Sequence, residues 1–238
     1  PHLLHGTMLF ALAAEEAGLE AVALMSQWNA SADHPSVVSR EHWIANQLYR
    51  WMPTVGVVHI NPGLFAFAYL LGLPALVHFG LLMAPFGAGR NAPPSNEDIG
   101  RVAAHILMNP APHIGKSYRP TGPQLLAPDD IAAILSRVLD RKVTYRDVPL
   151  PLFVKAAVAQ GFPLSEIAHL RHYTAEHGNG AFAVGAPTDH VATVTGTPPE
   201  DFETIARRYL AAPDLIHPAL RIGTKTQAAG LMLRTMLT

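Results

Sequence analysis

Three short stretches carry side chains able to hold a small molecule or move a proton. Ser26 directly follows the apolar run EAVALM at 20–25. A hydroxyl at the end of such a run either caps a turn or faces a ligand. His42 and Asn46, in SREHWIANQ, are four residues apart and share one face of a helix. Histidine relays protons near neutral pH, whereas asparagine only forms hydrogen bonds. Asn61-Pro62-Gly63-Leu64 follows the β-branched run VGVVHI at 55–60. Ligands of open α/β sheets bind beyond the carboxyl ends of the strands. The backbone at 62–64 is therefore the expected ligand contact, with a plain strand-to-helix turn as the alternative.

Other residues invite weaker readings. Phe65, Phe67, Tyr69 and Phe79 lie in the uncharged stretch 63–89 and could wall an apolar pocket, although ordinary core packing serves as well. Thirteen histidines raise the question of a metal. His169 and His172 share a helix face with Glu176 a turn later, but the spacing is not His-Glu-x-x-His and no third ligand is evident. An exposed polar helix face explains them. GAGRNAP at 87–93 clusters glycines without opening a helix, so it does not read as a phosphate loop. Tyr118, Tyr145 and Tyr173 suggest no partner from sequence.

The elements that position these residues follow from periodicity. The pattern predicts a helix over 5–17, a strand over 20–25, a helix over 39–51 and a strand over 55–60. The last is continuously apolar, as suits a strand covered on both faces. A helix is expected over 64–71, then a break and a second buried segment. SNEDIGRVAAHILM (95–108) has Ser95 and Asp98 at capping-box spacing. A strand at 116–119 is followed by PDDIAAILSRVL (128–139), which opens with proline and two aspartates, and by an alternating strand over 142–148. Beyond Pro149 the sequence reads as short helices. One of them, TPPEDFETIARRYLA, has Thr197 as its expected cap with Glu200 three residues on, and the amphipathic tail covers 224–237.

This alternation implies an α/β fold with a parallel, Rossmann-like sheet and a smaller, mainly helical C-terminal region. The expected division is 1–149, 150–212 and a tail at 213–238. A net charge of −1 gives no footprint for nucleic acid, and the absence of cysteine excludes disulfides and thiolate chemistry. The start has no basic n-region, so no secretory signal is read and a cytoplasmic location is expected. Stretch 63–89 exceeds the ~20 apolar residues of a membrane span. Gly72, Pro74, His78, Gly80 and Pro85 interrupt it, favouring a buried core over membrane association.

In order, EAGLEAVALMS, EHWIANQLYRW, INPGLF, APFGAGRNAPPSNEDIGRVAAHIL, GKSYRPTGPQLLAPDDIAAILSRVLDRKVTYRDVP and TGTPPEDFETIARRYL resemble the NmrA-like branch of atypical short-chain dehydrogenase/reductases. The resemblance runs from about Gly6 to Leu210. It implies a Rossmann fold binding NAD(P), with NADP the expected form, and a small C-terminal region covering the substrate. It places Ser26 and His42 as the candidate catalytic residues. Asn61, Pro62, Gly63 and Leu64 become cofactor contacts, and Asn46, Phe65 and Tyr69 line the substrate pocket. Three departures stand out. Val38 occupies the position of the tyrosine used by typical short-chain dehydrogenases. Asn46 replaces an acidic residue, and Asn61 replaces the arginine of the family's Arg-Pro-Gly. The family's opening strand and glycine-rich turn are also missing. The chain is thus expected to lack an N-terminal part of its fold, leaving the 20–25 strand an apolar edge.

The functional expectation is a nicotinamide-dependent reductase acting on a small apolar carbonyl or quinone-like acceptor. A non-catalytic redox sensor with the same fold is the first alternative. The second is an assembly subunit that uses the tail helix to form a homo-oligomer or meet a partner.

Overall fold

The computed structural model describes residues 2–52, 54–213 and 222–237. In chain order the elements are α1 (His2–Glu16), β1 (Ala21–Met25), α2 (Val37–Arg50), β2 (Gly56–Ile60), a 3₁₀ turn (Ala66–Leu70), α3 (Leu73–Phe79), β3 (Leu81–Ala84), α4 (Asn96–Met108) and β4 (Ser117–Tyr118). They continue with α5 (Pro128–Val138), β5 (Thr144–Asp147), α6 (Leu150–Ala159), α7 (Leu164–Gly178), α8 (His190–Thr195), α9 (Phe202–Ala211) and α10 (Lys225–Leu237). The chain forms two interleaved units. The first comprises Pro1–Gly63, Asn96–Thr121 and Thr188–Pro199; the second comprises Leu64–Ser95, Gly122–Pro187 and Glu200–Thr238.

The first unit is a three-stranded parallel sheet in the order β1-β2-β4. Its register runs from Ala21 opposite Gly56 to Met25 opposite Ile60, and continues with Ile60 opposite Tyr118. All three strands therefore end at one rim. Alternation of side chains sends Val22, Leu24 and Val57 to one face, where they pack with Ala11 and Ala14 of α1 and Tyr49 of α2. Val58 and Ile60 turn the other way and are fully buried. There α4 packs against β1 and β2 through Ile99, Val102 and Ile106. Among the described residues β1 pairs only with β2, and Met8, Leu9, Phe10 and Leu12 of α1 are exposed.

The second unit is built on the parallel pair β3-β5. The amphipathic α5 buries Ile131, Ile134 and Leu135 and packs on β5 and α9. Asp130 Oδ2 accepts the Ala127 N–H at 2.9 Å, satisfying one free donor at the α5 start. Gly80 ends α3 at φ 65°, and a Cβ there would sit 2.3 Å from the Lys142 carbonyl oxygen. Only glycine fits this point, where β3 begins beside β5.

Two local expectations are corrected. Instead of a helix over 64–71, the chain makes a 3₁₀ turn at Ala66–Leu70, and the apolar run continues into α3 and β3. Gly72 and Gly80 divide the run, so hydrophobicity persists while the conformation changes. The last amphipathic helix before the tail is capped by Asp201, not Thr197. The Asp201 carboxylate accepts the Thr204 N–H at 2.7 Å, while the Thr197 hydroxyl is engaged by Thr195 and Arg101. Among the described residues, no helix is long and apolar enough to cross a membrane.

Candidate functional site

The carboxyl rim of the three-stranded sheet brings together most of the singled-out residues. The strand ladder continues past the strands and ties their loops together. The Ser26 N–H donates to the Ile60 carbonyl at 2.9 Å, Trp28 N–H to Pro62 at 3.3 Å, and Asn61 N–H to Tyr118 at 2.7 Å. The residues after β1, β2 and β4 therefore form one surface rather than three separate loops.

Ser26 is buried at this rim. Its hydroxyl oxygen accepts from the Asn46 side-chain amide at 2.9 Å. The start of α2 sets that contact. Ser36 caps the helix through the Ser39 N–H, and the Ser39 hydroxyl donates to buried Gln27 at 2.9 Å, beside Ser26. With α2 anchored at 39, position 46 falls two turns on along the same face. His42 sits between them, half-buried. Because the partner of Ser26 is an amide, nothing in this pair removes the hydroxyl proton. The Ser26 hydroxyl keeps its hydrogen available to donate, and this pair does not activate it as a nucleophile.

Asn61 follows β2. Its amide nitrogen donates to the Ser117 hydroxyl at 2.9 Å. Its Oδ1 is buried and has no hydrogen-bond partner among the described residues, nor does Nδ1 of His59, two residues earlier on the same side of the strand. Such buried polar atoms are costly to leave unmet in the interior. Burial, with the positive charge of Arg50, holds the His59 imidazolium below its usual range.

Sequence reasoning missed the third part of the rim. Arg119, directly after β4, is 2% exposed, and its guanidinium lies 3.7 Å over the Trp28 ring. Desolvation lowers its pKa to about 10, so it stays charged at neutral pH. The Arg119 N–H donates to His190 Nδ1 at 2.7 Å, which puts that ring's proton on Nε2, and its carbonyl accepts from Thr188. Tyr118 meets His113 Nδ1 through its hydroxyl at 2.7 Å. Tryptophan two residues after Ser26 and arginine after a short strand were the available signals, but their stacking joins positions 91 residues apart and has no local pattern.

Pro62 and Gly63 are buried on this rim. The next candidates belong to the second unit. The Leu64 carbonyl accepts from the Asn91 amide at 2.7 Å. Phe65 is half-buried, edge-on to Phe67. Tyr69 is interior, 2% exposed, packed against Phe86 and Phe202, with its hydroxyl 2.7 Å from His177 Nε2. His177 Nδ1 faces the Phe86 carbonyl at 3.4 Å, which assigns Tyr69 as donor to Nε2. Burial lowers the His177 pKa to about 4 and raises that of Tyr69.

The glycine cluster at 87–93 is spent on structure. Gly87 N–H donates to Asp147, Gly89 N–H to Phe86 and Asn91 N–H to Leu126. A Cβ at Gly89 would lie 1.7 Å from the His177 carbonyl oxygen. These amides do not form a phosphate cradle. Among the described residues, no group of three or more His, Asp or Glu side chains is placed to hold a metal ion.

No protein-family model matches the chain. It is 28% identical over 207 residues to an NAD(P)H azoreductase of Xenophilus azovorans, covering 84% of this chain and 68% of the relative. It is 26% identical over 153 residues to quinone oxidoreductase 2 of Escherichia coli, covering 63% of this chain and 52% of the relative. The chain thus spans about half to two thirds of these curated relatives. Among solved structures, it resembles the E. coli NADPH-dependent quinone oxidoreductase complexed with NADPH, with a TM-score of 0.73 at 20% identity, over 86% of this chain and 70% of that one. It also resembles NmrA, a negative transcriptional regulator in complex with NAD, with a TM-score of 0.66 at 18% identity, over 91% and 72% of the two chains. The similarities bear out the NmrA-like resemblance and the Rossmann-like α/β fold.

Proposed function

We propose that this chain works as an NAD(P)H-dependent reductase, with NADP the expected form, acting on a small apolar carbonyl or quinone-like acceptor. The observation that carries the reading is the rim itself. A buried acceptor, Asn61 Oδ1, and a positioned hydroxyl, Ser26, stand at the carboxyl ends of adjacent parallel strands, where such sheets bind ligands. The named activities of the azoreductase and the quinone oxidoreductase support the same chemistry.

A bound nicotinamide cofactor supplies the hydride. Asn61 suits the carboxamide of that ring, because its unmet oxygen takes an amide hydrogen while its own amide stays on Ser117. Ser26, steadied by Asn46, keeps its hydroxyl hydrogen for the oxygen or nitrogen of the acceptor that gains charge. His42, a turn before Asn46 on the same helix, is the residue we assign to return a proton to the acceptor. Residues 87–93 do not suit the pyrophosphate, so its binding belongs to other parts of the protein. A cysteine-free chain using a reduced nicotinamide suits a cytoplasmic setting.

A redox sensor is the second reading. It is favoured by the amide partner of Ser26, which is no base, and by the likeness to NmrA. Calorimetric titration with NADPH and NADH, followed by loss of reduced-nicotinamide absorbance on adding menadione, separates the two. Binding with turnover supports the reductase, and binding without turnover across a panel of quinones and enones supports the sensor. Absence of binding by either nucleotide would overturn both, leaving the assembly role, tested by the change in solution mass when the tail is deleted.

A further inference from the structure

The second unit contains a cavity of about 80 Å³, open to solvent and bounded by α3, α6, α7 and α10. It includes none of the rim residues of the first unit, and none of its lining residues is charged. The cause is local. Ala75 of α3, Ala157 of α6 and Ala228 of α10 line it, and their short side chains let the helices approach without filling the space between them.

The wall is firmly made. His78 Nε2 lies 3.0 Å from the Gly223 carbonyl and 3.2 Å from that of Ile222, fixing the segment that enters α10. Thr224 and Gln227 then cap α10 reciprocally, the Thr224 N–H to Gln227 Oε1 at 2.8 Å and the Gln227 N–H to Thr224 Oγ1 at 3.2 Å. Empty apolar space forfeits packing contacts, so a cavity held open in this way is suited to a guest.

The polar groups on the wall narrow the guest's chemistry. Thr235 donates its hydroxyl hydrogen to the Leu231 carbonyl at 2.9 Å, and the Gln160 amide donates to the Ala156 carbonyl at 3.2 Å. Thr235 Oγ1 is therefore an acceptor toward a guest, and Gln160 offers its Oε1 as acceptor alongside one remaining amide hydrogen. An apolar cavity of about 150 Å³ takes a whole benzene ring. This one has about half that volume and is open to solvent, so it holds at most one ring, part of which stays in solvent.

We propose that this cavity binds a small neutral monocyclic phenol, its ring against the apolar walls and its hydroxyl donating to Thr235 or Gln160. The site is independent of the redox reading, because Ser26, His42, Asn46 and Asn61, which carry that reading, are absent from its lining.

The test uses the full chain labelled with ¹³C at methionine methyls and titrated with phenol. Met83 and Met232 line the cavity, whereas Met8, Met25, Met52 and Met108 belong to the first unit. Saturable shifts confined to Met83 and Met232 are expected, with toluene binding more weakly than phenol. Ala157→Leu, which fills the cavity, should abolish them while the other methionine signals stay in place. Thr235→Val should weaken phenol binding by roughly fivefold, about one neutral hydrogen bond. Non-saturating shifts, equal shifts at Met8 and Met108, or undiminished binding in Ala157→Leu would overturn the site. Equal affinity for toluene and phenol would overturn the hydroxylated ligand.

Discussion

The side-chain amide of Asn46 on α2 donates to the Ser26 hydroxyl at the end of β1 across 2.9 Å. A helix and a strand separated by a long loop are thus joined at the rim where ligands of parallel sheets bind. The contact fixes one hydroxyl rotor and leaves its hydrogen available. Ser26→Ala should lower kcat/KM for menadione reduction about tenfold, the value of one neutral hydrogen bond strengthened in the transition state, with little change in melting temperature. Asn46→Leu should cause a similar loss and also reduce stability by about 1–3 kcal/mol, since the buried hydroxyl loses its donor. Steady-state kinetics and thermal melts measured on the same preparations check both, and full activity in Ser26→Ala would remove Ser26 from the mechanism.

The His177–Tyr69 pair makes stability depend on pH. The folded-state pKa of His177, about 4, lies below the ordinary imidazole value of 6.5 because burial disfavours the imidazolium. The unfolded chain therefore binds the proton more readily, and acid favours unfolding. This contribution is complete above pH 6.5 and is lost as pH falls toward 4, amounting to about 3 kcal/mol. His59, also shifted down, acts in the same direction. Urea unfolding at a series of pH values should show this slope, and His177→Gln should flatten it. An unchanged slope in His177→Gln would assign the acid sensitivity elsewhere.

Two glycines should respond to alanine with opposite signs. At Gly89 the added Cβ would collide with the His177 carbonyl oxygen at 1.7 Å, and backbone cannot step aside cheaply. Gly89→Ala should cost at least about 3 kcal/mol. Gly100 lies within α4, exposed, with nothing within 4 Å of its Cβ position. Gly100→Ala should stabilise by about 0.5–1 kcal/mol. Differential scanning calorimetry of the two variants decides, at roughly 2–4 °C per kcal/mol for a chain of this size.

The cap of α9 is Asp201. Asp201→Ala should destabilise by about 1 kcal/mol by removing the acceptor of the Thr204 N–H. Asp201→Asn, which keeps an oxygen there, should recover most of that loss. Chemical denaturation midpoints of the two variants check it; equal losses would mean that charge, rather than the hydrogen bond, sustains the helix start.

Much of the framework was legible because it is written in local period. The run VGVVHI became β2, SNEDIGRVAAHILM became α4, and PDDIAAILSRVL became α5, each within a few residues. These segments carry their own hydrophobic pattern and their own starting signals, and these act between neighbours in the chain. The family resemblance likewise rested on the order of such segments, and it brought Ser26, Asn46 and Asn61 forward as candidates. Their placement on one rim follows from three parallel strands ending together.

What tertiary structure alone decided lies between distant positions. Period cannot divide the apolar run 63–89 into a 3₁₀ turn, a helix and a strand, since all three bury the same kind of side chain. The Arg119–Trp28 stack, the Tyr69–His177 hydrogen bond and the close approach at Gly89 each join residues far apart in the chain. Their energies arise from burial and contact created by the fold. The same holds for the unmet Asn61 oxygen, which becomes a functional signal only when packing removes it from water.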